Sequence, residues 1–369
     1  MVVIVTWFLS TGGLPRQCAH WLAMTGNFGH SPTNANLPVG FVKKGEWVVG
    51  KARLIVSLDF ELFWGMLDVT TLDAYREHIL GGREAIPKLL ALFEKYGIHA
   101  TWATVGFLFG ETPEALREYL PERGPSYSDP ALDGYARLRD MKPEDRDCFF
   151  APELIARIAA APGQEIGSHT FCHYYCREAG QTPEEFRMDM RAARDIGQAR
   201  GYDLRSVVLP RNQCREEYTR VLSELGFTAY RDEENDWIHR KIHFRPLKRL
   251  LRLADVYVPL TGWGGYEPKV EQGIVNLTGS RMYKPYFRPL GFLEGLKMRR
   301  IKAQMRHAAK KGLTFHLWWH PHNVGVRTDF HIKQLEEIFS YYQQLQREYG
   351  MVSQNMGEAA REVLEGRNN

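Results

Sequence analysis

Asp59 and Glu61 close an apolar, β-rich run, Leu54-Ile55-Val56-Ser57-Leu58-Asp59-Phe60-Glu61. Much further along, Glu165-Ile166-Gly167-Ser168-His169-Thr170-Phe171-Cys172-His173 sets two histidines four apart behind another apolar edge. Imidazole and carboxylate together suit Zn²⁺ and similar divalent ions. Three protein ligands leave a coordination position open, as catalytic sites do. Asp59 and Glu61 are two apart, so a regular strand presents both to one face, where they can share a ligand and a base role. The bland alternative is a surface strand end with solvated acids, but the run before them is too apolar for an edge strand. A third island, Phe315-His316-Leu317-Trp318-Trp319-His320-Pro321-His322-Asn323, puts His316 and His320 on one strand face. His320, at the strand end, is placed for general acid work. His316 reads as packed, and His322 and Asn323 as loop residues that contact substrate. Asp232 to Trp237 adds acids and an aromatic platform, with Asp232 and Trp237 as further substrate contacts.

These residues need a scaffold that brings distant strand ends together. From residue 52 the pattern alternates strand and helix. The expected strands are Leu54–Leu58, His99–Val105, Glu165–Ser168, Ser206–Leu209, Ala229–Tyr230 and Leu313–Trp319. The expected helices are Ala85–Tyr96, Glu153–Ala160, Pro183–Arg200, Glu216–Leu225, Phe292–Lys311 and His331–Tyr349, several closed by a following glycine. Repeated βα units of this length imply an α/β fold with a parallel sheet or barrel. Such barrels carry their active sites at the C-terminal strand ends, where the polar islands fall.

The 369 residues allow one large barrel or two ordinary domains. We expect residues 51–369 to form one barrel domain, with a basic insert around 238–311. Residues 1–50 lack core periodicity and read as a non-core extension or an over-called start, with Val48 or Val49 as the alternative beginning. At 44% hydrophobic and 25% charged the composition is that of a soluble globular protein. No run has the length of a membrane-spanning helix. Five cysteines without C-x-x-C spacing argue against a disulfide framework and for a reducing, cytoplasmic setting. Cys172 and Cys176 are either soft ligands or small buried thiols. The net charge of +4 is unevenly spread: six Arg/Lys and no acid occur from Ile238 to Ala254, and seven from Lys297 to Lys311. Such stretches meet an anionic partner, for instance a membrane surface or a lipid-linked sugar at its inner face, or form a solvated helix face. After Pro246, Leu247, Leu250, Leu251 and Ala254 line one helical face. No nucleic-acid partner is expected.

In order and spacing the islands resemble the polysaccharide deacetylase family, carbohydrate esterases with nodulation-type chitooligosaccharide deacetylase homology, over residues 52–325. Ser57-Leu58-Asp59-Phe60 stands where that family has T-F-D-D. His169-Thr170-Phe171-Cys172-His173 matches its H-[ST]-x-x-H, while Val208-Leu209-Pro210-Arg211 sits where it has R-x-P-Y, Asp232–Trp237 at its acidic-Trp segment, and Leu317-Trp318-Trp319-His320 at its L-x-H. The resemblance implies a distorted (β/α) barrel and metal-dependent removal of acetyl groups from glycans. It makes Asp59 the base, His169 and His173 metal ligands and His320 the acid, with the backbone near Arg211 helping to hold the oxyanion. There are two departures. The family's second aspartate falls at Phe60, so Glu61 ligates, or Asp59 ligates while Glu61 is the base. The arginine before the proline is absent, and Arg211 is the candidate replacement.

The leading expectation is therefore a Zn²⁺-dependent deacetylase of an N-acetylated glycan or precursor sugar. Its competitors are a hydrolase of a C–N bond in a small cyclic amide, a glycoside hydrolase and a non-catalytic sugar-binding barrel. The glycoside hydrolase needs a second opposed acid that is not evident. The binder needs a degraded site, which Asp59, His169, His173 and His320 do not suggest.

Overall fold

The computed structural model describes residues 50–368 except Asn235. The expectations for the first fifty residues and for Cys18 lie outside the described residues, apart from Gly50. Among the described residues ten strands form one sheet: β1 (Arg53–Phe60), β2 (Ala100–Thr104), β3 (Gln164–Ser168), β4 (Ser206–Val208), β5 (Ala229–Arg231), β6 (Lys269–Glu271), β7 (Ile274–Asn276), β8 (Arg281–Met282), β9 (Thr314–Trp319) and β10 (Val352–Gln354). Their order is β6-β7-β5-β4-β3-β2-β1-β9-β8, with β10 also on β1. All pairings are parallel except β6 with β7. This is the distorted (β/α) barrel that the sequence implies; among the described residues no strand pairing joins β7 to β8.

The helices are α1 (Leu72–Tyr96), α2 (Gly134–Arg139), α3 (Arg146–Phe149), α4 (Pro152–Ala159), α5 (Pro183–Ala199), α6 (Glu216–Glu224), α7 (Trp237–Lys241), α8 (Arg245–Tyr257), α9 (Glu294–Lys311), α10 (Thr328–Tyr349) and α11 (Met356–Asn368). Helix α1 corrects the expectation of a start at Ala85. Gly81-Gly82 reads as a breaker, yet the pair lets the helix press on the turn after β9. A Cβ at Gly81 would lie 2.2 Å from the Gly325 carbonyl oxygen, and one at Gly82 2.8 Å from the His322 Cα.

β1 is central and buried along its whole length. Period-two alternation divides its side chains. Leu54, Val56, Leu58 and Phe60 join the large cluster under the helices, whereas Ile55 lies in the barrel interior with Ala103, Val208, Ala229, Val275 and Leu277. Met356, Ala359 and Ala360 of α11 plug that interior layer from below. One level up, the interior turns polar: the Ser57 hydroxyl lies 2.7 Å from His316 Nε2, and His316 Nδ1 lies 2.9 Å from the Leu277 carbonyl oxygen. His316 is thus packed, as expected.

Met356 is fully buried at the mouth of the plug. Met356→Ala should lower unfolding free energy by about 2–4 kcal/mol through lost burial and a residual cavity. Urea unfolding measures this, and an unchanged midpoint would remove α11 from the core.

Candidate metal and catalytic centre

The next level of the interior holds the chemistry-bearing groups. Arg231 ends β5 on the same strand face as Ala229, so it points into the barrel and is fully buried. Its guanidinium donates to both Asp59 oxygens at 2.8 and 2.7 Å, to the Ser57 hydroxyl at 2.8 Å and to Asn212 Oδ1 at 3.0 Å. It also stacks 4.2 Å over the Trp318 ring. Burial alone would raise the Asp59 pKa; Arg231, then His320 and His169, more than offset it, and the carboxyl is held below its ordinary value.

Glu61 lies just beyond β1 and is buried. Its side chain fills the space over Gly65, where a Cβ would sit 2.1 Å from Oε1. Its Oε2 is 3.0 Å from His173 Nε2 and 3.2 Å from His169 Nε2, and the three residues form one buried group. Burial raises the Glu61 pKa, but His320, His169 and His173 hold it well below the ordinary carboxylate value. Burial likewise lowers the His173 pKa, against the pull of Glu61.

The orientation of His169 is fixed by its second nitrogen. Nδ1 lies 2.8 Å from the Val208 carbonyl, which can only accept, so Nδ1 carries the proton. Nε2 then turns a lone pair on Glu61 Oε2 and has no hydrogen-bond partner. Two acceptors facing each other in a buried site call for a cation between them, and a backbone carbonyl behind a ligating histidine is a common second contact. The donor set of two imidazoles and a carboxylate therefore fits a divalent ion.

The histidine loop is built under strain, since Thr170 and His173 both have left-handed backbone, φ 64° and 65°. Asp189 of α5 holds it. Its carboxylate accepts the Phe171 and Cys172 N–H groups at 2.7 and 3.2 Å and the Tyr135 hydroxyl at 2.9 Å. The Thr170 hydroxyl accepts the Tyr174 N–H at 2.7 Å. Burial raises the Asp189 pKa despite these contacts.

His320 Nε2 stands 3.6 Å from Asp59 Oδ2 and 3.6 Å from Glu61 Oε1. Asn323 Oδ1 accepts the His320 backbone N–H at 3.2 Å and faces Nδ1 at 3.1 Å, leaving Nε2 to face the two acids. His322 stacks on His320, centroids 4.9 Å apart, and burial drives its pKa down to about 3. Both His322 and Asn323 are buried. The turn that carries them tucks under α1, and both buttress His320.

The expected replacement arginine is also corrected. The Arg211 side chain pairs with Asp68 and Glu178 and lies 4.3 Å over the Tyr175 ring, while the guanidinium on Asp59 comes from Arg231. A charged residue at an inward position of an apolar strand was the available signal. Asp232 follows Arg231, half-buried, and accepts from Asn276 at 3.3 Å; burial raises its pKa. Trp237 is partly exposed and donates to the Leu260 carbonyl. Neither belongs to the Glu61–His169–His173 group. Cys172 and Cys176 are buried free thiols whose pKa values burial raises, not members of that group.

Residues 71–230 match the family model for polysaccharide deacetylase. That span includes the histidine loop and lies between the Asp59 and His320 strand ends. Among solved structures, a putative polysaccharide deacetylase from Mycobacterium smegmatis aligns at TM-score 0.54 and 15% identity over 88% of this chain and 94% of its own. A probable polysaccharide deacetylase from Pseudomonas aeruginosa PAO1 aligns at 0.51 and 12%, over 84% and 89%. A structure described as Puue allantoinase aligns at 0.52 and 13%, over 85% and 91%. At these identities the likeness is one of fold. No curated protein matches the chain.

Asp189→Ala would leave two buried N–H groups and a hydroxyl unpaired. It should cost roughly 3 kcal/mol in urea unfolding, with Asp189→Asn intermediate because one acceptor oxygen survives. Equal stability of all three proteins would show that the loop holds itself.

Proposed function

We propose, from the match of residues 71–230 to the polysaccharide deacetylase family model, a Zn²⁺-dependent enzyme that hydrolyses the amide C–N bond of an acetylated sugar, removing the N-acetyl group from a glycan or a precursor amino sugar. The observation that carries the metal is the His169 Nε2 lone pair turned on Glu61 Oε2, with Nδ1 committed to Val208. Glu61, His169 and His173 would hold the ion, and Glu61 takes the ligand place that Phe60 cannot. A divalent ion bound there supplies Lewis acidity toward the acetyl carbonyl and lowers the pKa of water.

The chain's own groups divide the remaining work. Asp59, kept ionised by Arg231, accepts the proton of the attacking water. His320, its Nδ1 side occupied by Asn323, gives a proton from Nε2 to the nitrogen as the C–N bond breaks, leaving acetate and a free amine. Arg231 positions Asp59 and stops it from binding the ion in place of Glu61. The backbone around Arg211 and Asn212, both in left-handed conformation, is the proposed neighbour of the developing oxyanion. Asp232 and Trp237 remain proposed substrate contacts farther out. Four buried free thiols favour a reducing, cytoplasmic compartment. The likeness to a structure described as an allantoinase keeps a small cyclic amide in the substrate panel.

His169→Ala, His173→Ala and Glu61→Gln should each lose bound zinc by elemental analysis, whereas Asp59→Asn should keep it and lose turnover by about 10³-fold. Full zinc occupancy in all three ligand variants would overturn the metal reading. Zinc loss in Asp59→Asn with retention in Glu61→Gln would reverse the two acids. Acetate release from N-acetylated, O-acetylated and cyclic-amide compounds selects the substrate class.

Arg231→Met strips the cation that keeps Asp59 ionised. The folded pKa of Asp59 lies below its unfolded value, so its stabilising contribution is full above the unfolded pKa and lost as pH falls. Without Arg231 that contribution goes, with a cost of about 3–5 kcal/mol for an unpaired buried charge, and the acid limb of the kcat/KM profile moves to higher pH. An unmoved acid limb would take Asp59 out of the base role.

A further inference from the structure

We infer that Tyr175 is a further catalytic residue: its side-chain hydroxyl donates a hydrogen bond to the acyl oxygen of the substrate, where negative charge develops. The inference rests on the deacetylase reading and deepens it by a residue outside the sequence motifs.

Tyr175 follows His173 by two positions in the histidine loop. Its backbone N–H donates to the Tyr127 hydroxyl at 2.7 Å, which pins that part of the loop. The ring stands at 85° to the His173 ring, centroids 4.9 Å apart. The Arg211 guanidinium covers it at 4.3 Å, and Asp68 and Glu178 hold that guanidinium in turn. A ring set between a ligating histidine and a tethered cation has little freedom to swing away.

Its hydroxyl is nevertheless unused. Only 2% of Tyr175 is exposed, and the oxygen is buried with no hydrogen-bond partner. Tyrosines nearby are served: Tyr174 donates to Gln181 and to the Thr182 carbonyl, both at 2.9 Å, and Tyr135 to Asp189 at 2.9 Å. An unpaired buried hydroxyl carries a desolvation penalty that phenylalanine would avoid. The other such tyrosine among the described residues, Tyr266, bonds through its backbone to Thr314, at the opposite end of β9 from His320. His169 Nε2 gives the nearer parallel. It too is buried without a partner, and its ring lies 5.1 Å from that of His173. Both groups lie against His173 and lack only what binds at the centre.

The charges around the hydroxyl select its acceptor. Arg211, Asp68, Glu61 and Glu178 act on it, three acids to one cation, so an anionic substrate group is disfavoured. A phenol is protonated at neutral pH and donates to a neutral carbonyl. The Arg211 backbone, whose side chain covers the ring, is the proposed neighbour of the oxyanion, which brings the hydroxyl to the same region. One donor aimed at developing charge is worth about 10²–10³ in kcat.

Tyr175→Phe, compared with the wild type on the acetylated compound that the wild type hydrolyses fastest, tests this. The variant should keep its zinc, melt at the same or a higher temperature, and lose about 10²-fold in kcat with KM within about two-fold. Tyr174→Phe is the control from the same loop: its hydroxyl has partners, so it should melt lower and keep its kcat. An unchanged kcat in Tyr175→Phe overturns the inference. A lowered melting temperature overturns it too, by giving the hydroxyl a structural partner. So does easier loss of zinc to a chelator, which would assign the hydroxyl to His173 Nδ1, also buried and unpartnered. A wild type that releases acetate from no compound of the panel overturns the deacetylase reading and this inference with it. An active wild type matched by Tyr175→Phe overturns this inference alone.

Discussion

A carboxylate with its charge buried inside a barrel stays ionised only if an opposite charge is held against it. Arg231 meets that demand for Asp59 by two parallel hydrogen bonds, and its remaining donors reach Ser57 and Asn212. Below it, the Ser57 hydroxyl accepts from Arg231 and donates to neutral His316, whose other nitrogen donates to Leu277. Burial and then Arg231 push the His316 pKa down to about 3, which matches the neutral tautomer the network needs. The polar layer is thus satisfied between an apolar floor and a charged mouth. Half-satisfied, it would destabilise the barrel more than an apolar core would.

The two acids at the mouth are separated by this arrangement. Asp59 faces a guanidinium and Glu61 faces two imidazoles, although they stand two apart in sequence. One residue more in the chain, and a glycine at position 65 to receive it, give Glu61 the reach that an aspartate at position 60 would need elsewhere.

Much of the scaffold was legible because its strands are long apolar runs and its helices end in glycine. β1, the histidine loop and the His320 strand end came from local pattern alone, as did the packed state of His316. Tertiary packing hid the rest. β6, β7 and β8 have two or three residues each, too few for a period to show. Gly81-Gly82 looks like a helix stop until the turn it must accommodate is known. Arg231 was missed because a motif pointed to the β4 end, whereas the charge arrives from β5. His322 and Asn323 look like loop residues until α1 covers them.

Strand β1 also has a bearing on how the chain reaches this state. Its register partners in β9 on one side and β10 on the other lie about 260 and 300 positions away, as in Arg53 with Thr314 and with Val352. The central strand, with both acids attached, can be completed only after nearly the whole barrel has been synthesised. Loop-closure entropy must be met before those pairings give anything back. Until then an apolar strand waits half-paired, so the assembly of this site is tied to the slowest, most non-local step of folding.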